Sequence, residues 1–110
     1  MKPKFYHPNL ANGAWEKLNF FEQMANIGSE VERAISWKNK GRPERSRNAF
    51  FRALELLDFS IGDTRNKSRL KELCRVREVL VDYFFAGNQY GSTDRLWQKY
   101  FRAFAWAARK

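Results

Sequence analysis

The chain has almost none of the residue types from which catalytic and metal sites are built. It holds one histidine, His7, and one cysteine, Cys74. A single cysteine excludes an intramolecular disulfide and fits a reducing compartment. One histidine and one cysteine far apart make no zinc site, and a triad joining His7 to the body of the chain is unconvincing. The Glu-x-x-His pairs of a di-iron bundle are missing. Six glycines are scattered along the chain rather than gathered into a phosphate-binding loop. No run approaches the roughly 18 apolar residues of a membrane span. The opening stretch, MKPKFYHPNLANGAW, carries basic residues but no apolar core of a signal peptide. These absences lead us to expect a cytoplasmic, non-enzymatic protein with no cofactor, no metal and no membrane association.

Strand signals are as scarce as catalytic ones. Nothing alternates with period two, and β-branched residues are few. The apolar residues instead recur at three- and four-residue intervals: Phe20, Met24, Ile27, Val31, Ala34 and Ile35 in a first helix capped by Asn19 and Glu22. Gly28 interrupts that helix, and the expected reason is close approach of another helix. Gly41 and Pro43 punctuate the passage to a second helix, PERSRNAFFRALELLDFSI. Asp63 or Thr64 is expected to cap a third helix running to about Ala86, and Ser92 or Thr93 a fourth. In the fourth, Leu96, Trp97, Tyr100, Ala103, Phe104 and Ala107 are the expected buried face. Cys74, beside Leu70, Leu73 and Val81, is expected to be a small buried hydrophobe. The fold class expected is all-α: one antiparallel up-down four-helix bundle over residues 19–110, preceded by an N-terminal arm over residues 1–18 that Trp15 and Leu18 pin down.

Positive charge and aromatic rings are plentiful. Across 110 residues, 21 Lys and Arg face 12 Asp and Glu, for a net charge of +9, which suits nucleic acid or another anionic partner. Aromatic residues make up 16% of the chain, enough to argue for a packed core rather than disorder. Basic residues gather at two helix starts: Arg42, Arg45 and Arg47 at the second helix, and Arg65, Lys67, Arg69 and Lys71 at the third. Cations oppose the dipole there, so an anion site made from backbone N–H groups and side-chain charge is the functional reading. The bland reading is a solvated surface that keeps an aromatic-rich protein in solution. Trp37 on the first helix and Trp106 on the fourth, the latter flanked by Arg102 and Arg109, are candidates for base stacking or for a protein interface. Arg77 falls within the apolar stripe of the third helix, and a buried ion pair with Glu30 or Asp58 is expected.

The runs NIGSEVERA, RALELLD and RLKELCRVREVLVDYF resemble a family of small uncharacterised prokaryotic helical proteins, over about residues 19 to 109. That resemblance implies a helical architecture and no particular activity. In architecture the chain is also similar to the HEPN class of four-helix proteins and to small bundles associated with ribosomal intervening sequences. HEPN ribonucleases carry an arginine followed a few residues later by histidine. Here no histidine follows any arginine, so the resemblance implies a non-catalytic relative. The function expected is RNA binding through basic helix ends. The alternative is a protein-interaction or homo-oligomeric module, such as one half of a toxin–antitoxin pair.

Overall fold

The computed structural model describes residues 6–8 and 10–109. The first five residues of the expected arm, and Lys110, lie outside the described residues. Four α-helices carry the fold: α1, Phe20–Asn39; α2, Pro43–Ile61; α3, Leu70–Phe85; and α4, Asp94–Ala108. No strand occurs among the described residues, and no helix there is long and apolar enough to cross a membrane.

Local chemistry sets the boundaries. The Asn19 side chain accepts from the Glu22 N–H at 2.8 Å, and the Glu22 carboxylate accepts from the Asn19 N–H at 2.9 Å. This reciprocal cap satisfies two N–H groups that the first turn of α1 leaves over. Gly41, at φ 73°, turns the chain out of α1, and Pro43 occupies the first turn of α2, where a missing N–H costs nothing. Thr93 caps α4 by accepting from the Leu96 N–H at 3.1 Å.

The third helix begins later than its sequence suggests. Thr64–Arg69 winds as a 3-10 segment, and α-helical geometry starts only at Leu70. The tighter winding accompanies a buried side chain: Asn66 donates to Gln23 Oε1 at 2.8 Å and to the Ser60 carbonyl at 3.0 Å.

α1 packs mainly against α2 and α4, while α3 makes its main helix contact with α2. Gly28 lies hard against α4. A Cβ there would lie 2.7 Å from Cβ and 2.9 Å from Cγ of Phe101. Phe101, absent from the expected core, is therefore buried, whereas Leu96 is 58% exposed and Ala103 also faces outward. The bare backbone at Gly28 rotates α4 so that Phe101, with Trp97, meets α1.

α3 is rotated in a similar way. Leu73, at one edge of the expected stripe, is buried together with Val76 and Leu80, whereas Leu70 and Cys74 of that stripe are exposed and Arg77 and Val81 are half-buried. Cys74 is accordingly exposed rather than a buried hydrophobe. Phe51 and Phe59, which leave the apolar stripe of α2 in sequence, both pack against the core. Phe51 stacks on Phe85, with 5.6 Å between centroids, and Phe59 lies 6.3 Å from Trp15.

Before α1, the chain makes a π-helical turn, Leu10–Ala14, and a 3-10 turn, Trp15–Lys17. Trp15 is buried, and its Nε1–H donates to Ser60 Oγ at 3.0 Å. Ser60 in turn donates to Gln23 Oε1 at 2.9 Å, and Gln23 Nε2 donates to Asp63 at 2.9 Å and to the Trp15 carbonyl at 3.2 Å. Four polar side chains inside a bundle are tolerable because each is hydrogen-bonded. Further out, Glu55 accepts from the backbone N–H groups of Tyr6 and His7, both at 2.8 Å, which holds this segment on α2.

Candidate nucleic-acid interface

Twelve of the 21 basic residues fall into three groups with different surroundings. At the start of α2, Arg45 lies over the Trp37 ring, 4.7 Å from its centroid, and Lys40 is 5.3 Å from the same ring. Trp37 is thus a half-buried platform already occupied by cations. Arg42 and Arg47 are exposed and have no acidic partner among the described residues.

The second group is partly committed to the fold. Arg65 donates to Asp63 at 2.6 and 3.1 Å and to the Leu18 carbonyl at 2.8 Å. Those bonds hold the Asp63 carboxyl well below the usual carboxylate range, outweighing the opposing effect of its burial. Arg69 covers Phe20, 4.3 Å from the ring centroid, and approaches Glu72 at 3.8 Å. Lys67 and Lys71 alone of the four remain exposed without an acidic partner among the described residues. The N–H of Arg65, which would have helped receive an anion, is taken by Asp63 at 3.0 Å.

The third group lies on α4. Arg95, Lys99, Arg102, Trp106 and Arg109 are spaced four, three, four and three residues apart and are all exposed. On a helix that spacing makes one stripe, about 21 Å long at 1.5 Å per residue. None of the four cations has an acidic partner among the described residues. The one acid in α4, Asp94, is held by Lys38 at 2.8 Å, by Asn39 at 3.1 Å and by the Tyr83 hydroxyl. Trp106, 65% exposed, sits between Arg102 and Arg109. Arg95 and Lys99 escape notice when basic residues are counted as runs, because apolar, aromatic and amide residues separate them from each other and from Arg102 in the chain. Their helical period is the signal that groups them.

The expected buried pair is different in fact. Arg77 Nε donates to Asp58 at 2.8 Å, but the two side chains are 39% and 54% exposed. This is a surface pair at the margin of α3, because the buried stripe is centred on Leu73, Val76 and Leu80 rather than on Arg77. Of the two expected partners Glu30 is the buried one, and it is held by Arg52 at 2.5 Å and by Arg33, not by Arg77.

Among the described residues, no group of His, Cys, Asp and Glu is placed to hold a metal ion. His7 Nδ1 lies 3.2 Å from Glu55 at the edge of α2. No protein-family model, no curated protein and no solved structure matches the chain.

Proposed function

We propose that this protein is a non-catalytic, cytoplasmic binder of single-stranded RNA, and that the outer face of α4 is its principal contact surface. The observation that carries this reading is the stripe of four exposed cations, free of acidic partners among the described residues, with Trp106 set among them. Such a stripe neutralises phosphates along a strand, while an indole offers a stacking surface that any base can use. Arg42, Arg47, Lys67 and Lys71 supply further charge around the bundle. The short link between Asn39 and Pro43 supports an antiparallel up-down arrangement of the helices.

Fluorescence anisotropy with labelled single-stranded RNA, duplex RNA and DNA tests the reading. Four phosphate contacts give a fall of about 2.8 log units in affinity per log of salt for a single strand. The double substitution Arg95→Glu with Arg102→Glu abolishes most binding, whereas Arg69→Ala has little effect. A flat salt response, or full binding by the α4 variant, refutes the proposal.

A second reading has its own observation. Between α3 and α4 lies an apolar groove of about 260 Å³, lined by Val76, Val79, Leu96, Trp97 and Tyr100. A protein partner seated there would make this an interaction module. Sedimentation over a range of concentrations distinguishes self-association from a monomer, and a charge of +9 on each copy opposes self-association.

A further inference from the structure

The start of α2 and the end of α3 border a cleft of about 440 Å³, within the roughly 300–1,000 Å³ typical of small-molecule sites. One side is aromatic. Phe50 is fully buried and fixes the geometry, with its ring centroid 4.7 Å from that of Phe84 and 5.3 Å from that of Phe85. Phe51 backs Phe85 in a near-parallel stack at 14°. Phe85 is nevertheless 50% exposed, so a rigidly held, flat apolar surface faces the cleft.

Cations line the same cleft. Lys38 Nζ is anchored at 2.8 Å from both Asp94 and the Tyr83 hydroxyl and lies 5.6 Å from the Phe84 ring centroid. Burial lowers the Lys38 pKa, but the bonds to Asp94 and Tyr83 more than restore it, so the ammonium stays charged. Asp94 balances that charge. Arg47, exposed and with no acidic partner among the described residues, leaves the cleft one uncompensated cation. Gly41 contributes no side chain at the entrance, and an added Cβ there would meet nothing within 4 Å. Ser46 Oγ is committed to the Ala34 carbonyl at 2.7 Å, so polar recognition falls to Arg47 and Lys38.

A planar ring to lie on Phe85 and one anionic group to meet Arg47 and Lys38 together describe a nucleoside monophosphate. We infer that this cleft is a binding site for a nucleoside monophosphate, with the base stacked on Phe85 and the phosphate bound by Arg47 and Lys38. The site shares no residue with the α4 stripe and does not depend on it.

Calorimetric titration of the full chain with adenosine 5′-monophosphate, adenosine and inorganic phosphate tests this. The nucleotide is expected to saturate with Kd of about 1 mM or tighter, and adenosine and phosphate to bind at least about tenfold more weakly. Arg47→Ala weakens the nucleotide about tenfold and leaves adenosine unchanged. Phe85→Leu weakens nucleotide and adenosine alike, by about fivefold or more. Both side chains are solvent-exposed, and unchanged circular dichroism confirms that each variant folds. The variant Arg95→Glu with Arg102→Glu keeps full nucleotide affinity, which separates this site from the RNA surface. Absence of saturable nucleotide binding, equal affinity for nucleotide and inorganic phosphate, or binding indifferent to both cleft substitutions overturns the inference.

Discussion

Replacing Gly28 with alanine tests how closely α1 and α4 pack. In an isolated helix the change is favourable by about 1 kcal/mol, because alanine has less backbone freedom to lose. Here the added methyl carbon would lie 2.7 and 2.9 Å from Cβ and Cγ of Phe101, against an ordinary contact of 3.4–4 Å. These atoms are close to the α4 backbone, so they cannot swing aside as the tip of a lysine could. α4 must slide, and overpacking of that kind costs about 1–3 kcal/mol. Taking the upper end, because a whole helix moves, the net loss is about 2 kcal/mol, or a fall in Tm of roughly 10 °C. Ser29→Ala is the control. Ser29 is exposed and bonds back to the Ala25 carbonyl at 3.2 Å, so alanine there gains about 0.5 kcal/mol. Urea denaturation followed by circular dichroism gives both values. If Gly28→Ala stabilises the protein as Ser29→Ala does, the close approach of α1 and α4 is wrong.

Three further predictions concern the interior and its margin. Ser60→Ala strands the buried Trp15 N–H and removes a donor to Gln23; the expected loss is about 2 kcal/mol by chemical denaturation, and a loss near zero would mean that the network is not formed. Arg77→Ala, at a surface pair, should cost less than about 1 kcal/mol, and a loss of several would restore the buried pairing expected from its place in the sequence. Burial, together with a 2.8 Å bond to Glu72, raises the pKa of Tyr100 well above that of a free phenol. The folded state therefore favours the neutral phenol: its contribution is complete below about pH 10 and is lost as pH rises towards the folded value. Tyr100→Phe should flatten that alkaline decline in Tm, and an unchanged decline would place the titration elsewhere.

Helix ends were legible in the sequence because their determinants are local. Asn19 with Glu22, Gly41 with Pro43, and Thr93 each act within a few residues of the backbone that they terminate. The orientation of α3 and α4 was not legible. α4 carries Leu96, Trp97, Tyr100, Phe101 and Phe104 within an arc of about 140° at 100° per residue, and that pattern does not say which edge of the arc meets α1. Gly28, some seventy positions earlier, makes that choice by admitting Phe101. α3 meets chiefly one neighbour, and a turn of its buried face towards Val76 and Leu80 left Arg77 at the edge and Cys74 outside. Gln23, Ser60, Asp63 and Asn66 are ordinary polar residues in sequence; only Gln23 gave a hint, at the apolar spacing between Phe20 and Ile27. The candidate surface followed the same division. Arg102, Trp106 and Arg109 stood out through adjacency, while Arg65 and Arg69 looked available because Asp63 and Phe20 meet them only after folding.

The packing of α1 against α4 has a consequence for synthesis. The first helix made has one of its two main partners in the last. At about 5–20 residues per second, the chain between Asn39 and Asp94 takes roughly 3–10 s to be made. Throughout that interval the flank of α1 around Gly28, with Ala25 and Ile35, has no α4 to cover it. A nascent chain in this state exposes a greasy flank to whatever chaperone or neighbouring polypeptide waits at the ribosome. A message truncated before the codon for Trp97 would leave a product that keeps that flank permanently and is marked for degradation by it.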